Sequence, residues 1–220
     1  MATKRDVHDK VLLWEDGPYW ATTNIGAERP EDFGYYFWWG DTVGYKREKD
    51  KWVATDGSSS DFSFEKSSTT SIPTGYLPEE EYEAFLKGGG WITDDGVLAP
   101  EHDAAHVQWG GGWRMPTRQE SQNLMEKCDW TWKEINGVNG YVVRGKGAYA
   151  STSIFLPASG IGNGTSLYIA GSYGYYWTSI PGWDDDDAAW GFNFCLGYHD
   201  IDYCCREEGY SVRPVHGVTK

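Results

Sequence analysis

The residues best suited to chemistry crowd the C-terminal end of the chain, in the stretch GYHDIDYCCREEGYSVRPV at 197–215. Imidazole, carboxylate and thiol groups bind zinc, and a thiol beside a histidine can act as a nucleophile with its base. Zinc sites, however, usually separate their ligands as CxxC or HxxxH, whereas neighbouring strand residues point to opposite faces. No neighbouring residue is placed to orient a base or bind an oxyanion, so we expect no catalytic residue, metal or cofactor here. The potential ligands considered are His199, Asp200, Asp202, Cys204 and Cys205.

Two histidines in the segment HDAAH, at 102–106, match the spacing of helical zinc ligands. The metalloprotease motif requires a glutamate directly after the first histidine, where this chain has Asp103. No third ligand accompanies His102 and His106 in the sequence. A solvated or helix-capping role is therefore favoured for this segment.

Two other segments resemble ion-binding or phosphate-binding loops only superficially. The run of four aspartates at 184–187 lacks the spaced oxygen ligands and the glycine turn of an EF-hand loop, so a solvated loop is favoured. The glycine-rich loop GIGNGTS at 160–166 is not followed by a lysine and lies outside any alternating strand–helix pattern. It is a weak candidate for a phosphate site.

The charge balance argues against one class of partner. The 220 residues include 19 basic and 33 acidic side chains, which give a net charge of −14. Nucleic-acid binding relies on Lys and Arg concentrated on one face, so we expect no nucleic-acid partner. The 13 Trp, 15 Tyr and 28 Gly favour a loop-rich fold in which large rings supply buried area and glycines permit tight turns.

No targeting or membrane-spanning segment is predicted. Near the N-terminus, charges flank a three-residue apolar run that is too short for the core of a signal peptide. No run of apolar residues approaches the eighteen or so that a membrane-spanning helix requires. Three of the four cysteines fall within eleven residues and one stands alone, which predicts mostly free thiols. The localisation is left unassigned, with a phage particle and the cell surface both open.

Turn and capping signals divide the first half of the chain into strands and two helices. Residues 11–45 predict short strands, and the Ser/Thr-rich segment at about 46–75 predicts a mobile surface insertion. The segment LPEEEYEAFLKGGG predicts a helix that ends at Gly88 and turns Tyr82, Phe85 and Leu86 inward.

A capping box predicts the start of the second helix. Thr117 and Glu120 have the required spacing, and the helix would carry Leu124 and Met125 inward. From residue 140 the pattern predicts strands at GYVVRG, STSIFLPASG and YGYYWTSI.

The segment AWGFNFCLG at 189–197 alternates between large apolar and small or polar residues, which predicts a half-buried antiparallel strand. Its core-facing residues would be Trp190, Phe192, Phe194 and Leu196. The closing segment GYSVRPV predicts a second strand. The polar stretches YHDIDYCCREE and GWDDDD would flank the outer face of this sheet, which predicts a recognition surface on a rigid scaffold.

Five ordered motifs carry a resemblance over nearly the whole chain: WATTNIGAERPEDFGYYFWWGDT, DAAHVQWGGGWRMPTRQE, IFLPASG, GSYGYYWTSI and GYSVRPV. The pattern resembles the Fibrobacter succinogenes major paralogous domain, which is found widely in gut Bacteroidetes. RMPTRQE and GYSVRPV are also similar to the formylglycine-generating-enzyme branch of the C-type lectin fold. The resemblance implies a single α+β domain over 1–220, with short antiparallel strands, two or more helices and much irregular loop.

Chains of that fold that end in a hypervariable stretch before SVRPV resemble the variable proteins of diversity-generating retroelements. That resemblance implies a variable region at about 180–215, in which AAY codons become NNY and cannot encode Trp, Met, Gln, Lys or Glu. Ten positions expected to be exposed and variable carry none of these types, whereas Glu207 and Glu208 depart from the rule. The ten are Gly191, Asn193, Cys195, Tyr198, His199, Asp200, Asp202, Tyr203, Cys204 and Cys205.

The resemblance implies a non-enzymatic, receptor-type or adhesin-type protein whose target is an unidentified macromolecule, such as a cell-surface protein or glycan. A non-varying adhesin is one alternative, although no EPN-like or WND-like calcium motif is present. A formylglycine-generating oxidoreductase is another, although the spacing of Cys195 and Cys204 does not match its cysteine pair. Tyr198, Tyr203, Tyr210 and Trp183 would serve as aromatic anchors. The full set of expected ligand-binding residues is Trp183, Asp184, Asp185, Asp186, Asp187, Gly191, Asn193, Cys195, Tyr198, His199, Asp200, Asp202, Tyr203, Cys204, Cys205, Glu207, Glu208 and Tyr210.

Overall fold

The computed structural model describes residues 8–58, 63–64, 78–182 and 188–217. Within these ranges the fold is α+β, with many short strands, three α-helices and irregular connections. The helices are α1 (Glu79–Gly88), α2 (Ala104–Trp109) and α3 (Arg118–Lys127). The strands are β1 (Lys10–Leu12), β2 (Tyr19–Ala21), β3 (Tyr36–Phe37), β4 (Tyr45–Glu48), β5 (Lys51–Ala54), β6 (Trp113–Arg114), β7 (Asp129–Ile135), β8 (Val138–Arg144), β9 (Ser153–Pro157), β10 (Ile161–Asn163), β11 (Ser166–Tyr168), β12 (Tyr173–Pro181), β13 (Ala188–Cys195), β14 (Tyr198–Cys205), β15 (Tyr210–Ser211) and β16 (Val215–His216).

These strands form one large sheet and three smaller ones. The seven-stranded sheet has the order β14-β13-β12-β15-β3-β4-β5, and only its β12–β15 pair is parallel. The four-stranded sheet has the order β1-β2-β16-β6, β7-β8-β9 form an antiparallel meander, and β10 pairs with β11. Because β15 and β16 belong to different sheets, the closing segment of the chain joins the two largest sheets.

The seven-stranded sheet is buried on both sides along β12. Tyr176 and Trp177 are consecutive, so they point to opposite faces, and both are fully buried. Tyr176 packs in a core with Phe192 and with Leu124 of α3. Trp177 packs in a second core with Phe37 and with residues of α1. A third cluster of buried rings covers the far end of the sheet and comprises Tyr36, Trp38, Tyr45, Trp52 and Phe64.

The capping box predicted at the start of α3 is confirmed. The Thr117 hydroxyl accepts a hydrogen bond from the Glu120 backbone N–H at 3.1 Å, and the Glu120 carboxylate accepts one from the Thr117 N–H at 2.9 Å. The same carboxylate forms a bidentate ion pair with Arg114, at 2.7 and 2.6 Å. Leu124 is fully buried and Met125 is half-buried, so the helix carries them inward as predicted.

The predicted bounds of α1 are also confirmed, but one residue of its inward face is not. Tyr82 and Leu86 are buried, whereas Phe85 is 42% exposed. Residues four apart lie on the same helix face, and Phe85 is turned away from the line that joins Tyr82 to Leu86. None of the helices within the described ranges has the length and apolar character needed to cross a membrane.

The segment predicted as a mobile insertion begins as part of the large sheet. The hairpin of β4 and β5 occupies residues 45–54, and Trp52 is fully buried. Phe64 is also buried and packs against Trp52, with ring centroids 5.1 Å apart. Residues 59–62 and 65–75 of the predicted insertion lie outside the described part.

The C-terminal strands differ from the prediction in two ways. The polar stretch expected between two strands is itself a strand, β14, paired with β13 along its full length. The closing segment is not one strand but the two short strands β15 and β16. Phe192 and Phe194 are buried as predicted and Trp190 is half-buried, but Leu196 is 71% exposed because it lies in the turn that joins β13 to β14.

A buried guanidinium connects three separate segments. Arg213 is fully buried, and burial lowers its pKa to about 10, so the group stays charged at neutral pH. Its Nε donates to the Asn24 side-chain oxygen at 2.8 Å. Its two terminal nitrogens donate to the carbonyls of Ala21, at 3.1 Å, and Phe155, at 2.9 Å. These hydrogen bonds hold the chain before β16 against β2, the loop that follows β2, and β9.

We predict that Arg213→Met lowers the free energy of unfolding by about 3 kcal/mol or more, since each buried acceptor that loses its donor costs about 1–3 kcal/mol. Urea unfolding followed by tryptophan fluorescence would measure the loss. The matched control is Arg144→Met on β8, where an exposed guanidinium bonds one carbonyl, Ala150 O. Equal stabilities of the two variants would contradict the assigned role of Arg213.

Candidate functional site

Three neighbouring strands, β12, β13 and β14, bring together the C-terminal side chains that can contact a ligand. The register aligns Tyr173 of β12 with Cys195 of β13, and Cys195 with Tyr198 of β14. Alternate residues of each strand point to the same side of the sheet. We call this side of the three strands the C-terminal face, which comprises Tyr173, Tyr175, Asn193, Cys195, Tyr198, Asp200 and Asp202.

The other side of the same strands is occupied by packing contacts. The His199 ring lies 4.7 Å from the Trp130 ring, between centroids, and burial lowers the pKa of this histidine. The Tyr203 ring lies 4.1 Å from that of Trp190. The guanidinium of Arg118, on α3, lies over the Trp190 ring, 3.6 Å from its centroid. His199 and Tyr203 therefore contribute to packing between the sheet, α3 and β7.

The expected site residues fall into four groups. Exposed ones are Tyr198, Asp200, Asp202 and Cys205; half-buried ones are Asn193, Cys195, His199, Tyr203, Glu207 and Glu208. Gly191 and Cys204 are buried, so the expectation that they are exposed is wrong, and Tyr210, expected to be an aromatic anchor, is buried as well. Trp183, Asp184, Asp185, Asp186 and Asp187 lie outside the described residues. Sequence reasoning missed Tyr173 and Tyr175, which lie on the same face of β12.

Gly191, Cys204 and Tyr210 are buried because this end of the sheet is covered on both sides. The Tyr210 ring packs 4.2 Å from that of Trp177, between centroids. A side chain at Gly191 would begin 2.7 Å from the Cys204 sulfur and 3.0 Å from the Tyr176 carbonyl oxygen, so only glycine fits without displacement. The alternation of small and large residues along β13 cannot reveal this second covering layer.

Glu207 and Glu208, the two exceptions to the codon rule, have structural contacts. The Glu208 carboxylate accepts hydrogen bonds from the Asn163 amide at 2.9 Å and from the Tyr210 hydroxyl. The Glu207 backbone carbonyl accepts one from the Trp38 indole at 3.1 Å. Both residues belong to the connection between β14 and β15, which these bonds hold in place.

The thiols are arranged poorly for joint chemistry. All four cysteines are free, and burial raises the pKa of the Cys204 thiol strongly, which keeps it protonated. Cys204 pairs with Ala189, which precedes Cys195 by six residues on β13. At about 3.3 Å per residue, about 20 Å separates the backbones of Cys195 and Cys204, too far for them to share one metal ion.

The HDAAH segment forms the start of a helix. One oxygen of the buried Asp103 carboxylate accepts hydrogen bonds from the backbone N–H groups of Ala105 and His106, and the other accepts one from that of Met115. His102 precedes this cap and packs against the ring of Trp91. Among the residues that the structure describes, no group of three or more His, Cys, Asp or Glu side chains could hold a metal ion.

A cleft of about 290 Å³ lies beside this cap, between α2, β6 and the end of β12. Its lining residues include Thr93, Arg114 and Ser179. The two hydroxyls and the Arg114 Nε are buried, and none of these three atoms has a hydrogen-bond partner among the described residues. The carboxylate of Asp103 also lines the cleft, but it is occupied by three backbone N–H groups. Residues of two segments singled out in the sequence, HDAAH and RMPTRQE, line this cleft.

The aspartates of the C-terminal face also cover the edge of the sheet. β14 is the outermost strand of the seven, so every second N–H along it points away from β13. Asp200 accepts the N–H of Ile201 and Asp202 accepts that of Tyr203, both at 2.8 Å. Satisfying outward N–H groups in this way disfavours pairing with another strand at this edge. The face of the sheet, rather than its edge, is left to contact other molecules.

No family model, curated protein or solved structure matches this chain. The chemistry of the C-terminal face therefore follows from its own geometry. Its side chains offer phenol rings, carboxylates, an amide and a thiol, on strands that are fixed from behind by buried aromatic residues. Such a set can stack, donate and accept hydrogen bonds and form ion pairs, which are the interactions of noncovalent recognition.

We predict that His199 contributes stability that rises with pH through the histidine range, so that His199→Gln reduces the slope of the unfolding free energy against pH. Because burial lowers the pKa of His199 in the folded state, the unfolded state binds its proton at higher pH. The stabilising contribution of neutral His199 is complete above about pH 6.5 and is lost as the pH falls through the lowered pKa. Urea unfolding at a series of pH values would compare the two slopes, and identical slopes would contradict the prediction.

Proposed function

We propose that this chain is a ligand-binding protein with a C-type lectin fold of the formylglycine-generating-enzyme type, whose C-terminal face is diversified by a retroelement. One observation carries the proposal. Asn193, Cys195, Tyr198, Asp200 and Asp202 project from strands whose opposite side is fixed in an aromatic core. Residues placed in this way can change without loss of the fold, which is the physical requirement for a varied binding surface.

The motifs behind the family resemblance have structural tasks that support a constant scaffold. In RMPTRQE, Arg114 and Glu120 join the start of α3 to β6 through their bidentate pair. In SVRPV, Arg213 ties three segments together, and Val212 and Val215 are fully buried. A scaffold fixed by such contacts would hold its shape while the face changes.

The residue types on the C-terminal face agree with diversification at adenines. None of its five members on β13 and β14 is a Trp, Met, Gln, Lys or Glu. Three residues of β13, β14 and the connection that follows β14 do belong to the excluded types: Trp190, Glu207 and Glu208. All three make contacts with the scaffold. Trp190 packs between Arg118 and Tyr203, and the connection after β14 is held through Glu207 and Glu208. Trp190 and Glu208 are thus held through their side chains and Glu207 through its backbone carbonyl, whereas the five residues of the face project from the sheet.

A non-varying adhesin that uses the same face is the main alternative, and only the history of the gene distinguishes it from a diversified protein. An oxidoreductase of the formylglycine-generating type is less consistent with the geometry, because Cys195 and Cys204 lie far apart and Cys204 is buried. We propose a protein without catalytic function.

We expect the genomic DNA near this gene to contain a near-copy of the region that encodes residues 180–215, beside a gene for a reverse transcriptase. Mismatches between the two copies should fall only at adenines of the template. Sequencing of the locus provides the measurement. A locus without such a copy would exclude diversification and leave the adhesin as the better explanation.

Simultaneous replacement of the five varied positions should leave the fold intact. We predict that a variant with Ser at Asn193, Cys195, Tyr198, Asp200 and Asp202 loses about 0.5 kcal/mol or less per substitution, as is usual for surface positions. Two controls are informative in urea unfolding. Phe194→Ala should cost about 3–5 kcal/mol through the cavity that it creates, and Gly191→Ser should also destabilise. Unfolding of the five-fold variant would show that the face is structural rather than displayed.

A further inference from the structure

The cleft between α2, β6 and the end of β12 is a second candidate binding site, separate from the C-terminal face. Its deep part is formed by Leu98, Met115 and Ser179, which are all buried, and its mouth lies beside the exposed Gly111. Ser179 lies six residues beyond Tyr173 on β12. About 20 Å of strand therefore separates the cleft from this residue of the C-terminal face.

Backbone hydrogen bonds fix the walls of the cleft to one another. The Leu98 N–H donates to the Ser179 carbonyl at 2.9 Å, and the Ser179 N–H donates to the Pro116 carbonyl at 2.8 Å. The Met115 N–H donates to the buried Asp103 carboxylate at 2.8 Å. The cavity is therefore preformed, and a ligand would not have to order its walls.

Three buried polar atoms of the lining residues have unused hydrogen-bonding capacity. They are the hydroxyls of Ser179 and Thr93 and the Nε of Arg114, which have no hydrogen-bond partner in the part of the chain that the structure describes. Ser179 is only 2% exposed. A buried polar group without a partner destabilises the fold, and a ligand that supplies the missing partner recovers that loss. Rotation about one side-chain bond is enough to redirect each hydroxyl toward a ligand.

The two charged side chains that line the cleft are already occupied. Both terminal nitrogens of Arg114 donate to the Glu120 carboxylate, at 2.7 and 2.6 Å, and this ion pair leaves only the Nε for a ligand. The carboxylate of Asp103 accepts three backbone N–H groups. An anionic or cationic ligand would therefore lose its hydration without gaining a free partner of opposite charge among these two groups. An uncharged ligand avoids that cost.

We propose that the cleft binds a small uncharged molecule that carries an amide group on an apolar body. The amide oxygen can accept hydrogen bonds from the Arg114 Nε and from one hydroxyl, while the amide N–H groups can donate to the other hydroxyl. The apolar body would pack against Leu98 and Met115. A cavity of about 150 Å³ can hold benzene, so the cleft of about 290 Å³ has room for an aromatic ring together with its amide. This inference concerns a different part of the molecule from the proposed function and does not rest on it.

Benzamide is the probe, and benzoate and benzamidine are controls of nearly the same shape with a negative and a positive charge. Each is titrated into the intact protein at an ionic strength of about 0.15 M, which screens the net charge of −14. Two-dimensional NMR follows the backbone N–H signals of Leu98, Met115 and Ser179. Benzamide should shift these signals and bind about fivefold or more tightly than either control. No shift at these residues, or a control that binds as tightly as benzamide, would overturn the proposal. Tighter binding of benzoate would instead assign the cleft to an anion held by His106.

Two substitutions made together locate the bound amide. Ser179→Ala and Thr93→Val remove the two hydroxyls with little change in shape, and the double variant should bind benzamide about tenfold or more weakly. It should unfold at the same or a higher urea concentration, because neither hydroxyl has a partner within the described ranges. The matched control Thr131→Val removes an exposed hydroxyl from β7 and should leave the affinity unchanged. A double variant that binds benzamide as the control does would overturn the proposal.

The five-fold serine variant of the C-terminal face separates this site from the proposed function. It should bind benzamide with the affinity of the intact protein, because its substitutions lie outside the residues that line the cleft. Loss of benzamide binding in this variant, while its NMR spectrum shows that it is folded, would place the probe on the C-terminal face and overturn the cleft as the site.

Discussion

The buried guanidinium of Arg213 is the constraint on which the rest of the structure depends. A charge removed from water is tolerated only when its donors are satisfied, and here the acceptors come from three distant parts of the chain. One of them, Asn24, also donates to the hydroxyl of Tyr176, which in turn donates to the carbonyl of Pro157. The network therefore extends from the closing segment to the centre of β12.

Tyr176 connects this network to the C-terminal face. It stacks on Phe192 of β13, with ring centroids 4.9 Å apart, while its neighbour Tyr175 points to the opposite side and forms part of the face. The same strand thus faces the buried network on one side and solvent on the other. A face supported in this way is preorganised, so a ligand does not have to order the backbone when it binds.

Local patterns in the sequence predicted the elements whose physics is local. The capping box of Thr117 and Glu120 and the alternation of Phe192 with Phe194 both follow from neighbouring residues and were confirmed. The strand β14 was missed because one of its faces is polar and exposed, and the other packs against rings from other strands. These rings are Trp130 of β7 and Trp190 of β13, which the sequence of β14 itself does not reveal.

The errors within the candidate site have the same origin. Gly191 and Cys204 look like surface residues by alternation, but they are buried under rings contributed by β12 and β15. Tyr173 and Tyr175 were missed because they precede the region that the family resemblance marks as variable. Register across strands, rather than sequence distance, decides which residues share a surface, and a single sequence does not contain that register.

The edge of the sheet limits how freely the face can vary. Asp200 and Asp202 belong to the C-terminal face, and their carboxylates also cover the outward N–H groups of β14. A substitution that removes the acceptor uncovers an edge donor and favours pairing with other chains. Asp, Asn, Ser and Thr each retain a side-chain acceptor, and each of the four can be encoded by an NNY codon. Under the proposed diversification, selection at these two positions would therefore act on solubility as well as on binding, and their residue types should be narrower than those at Tyr198.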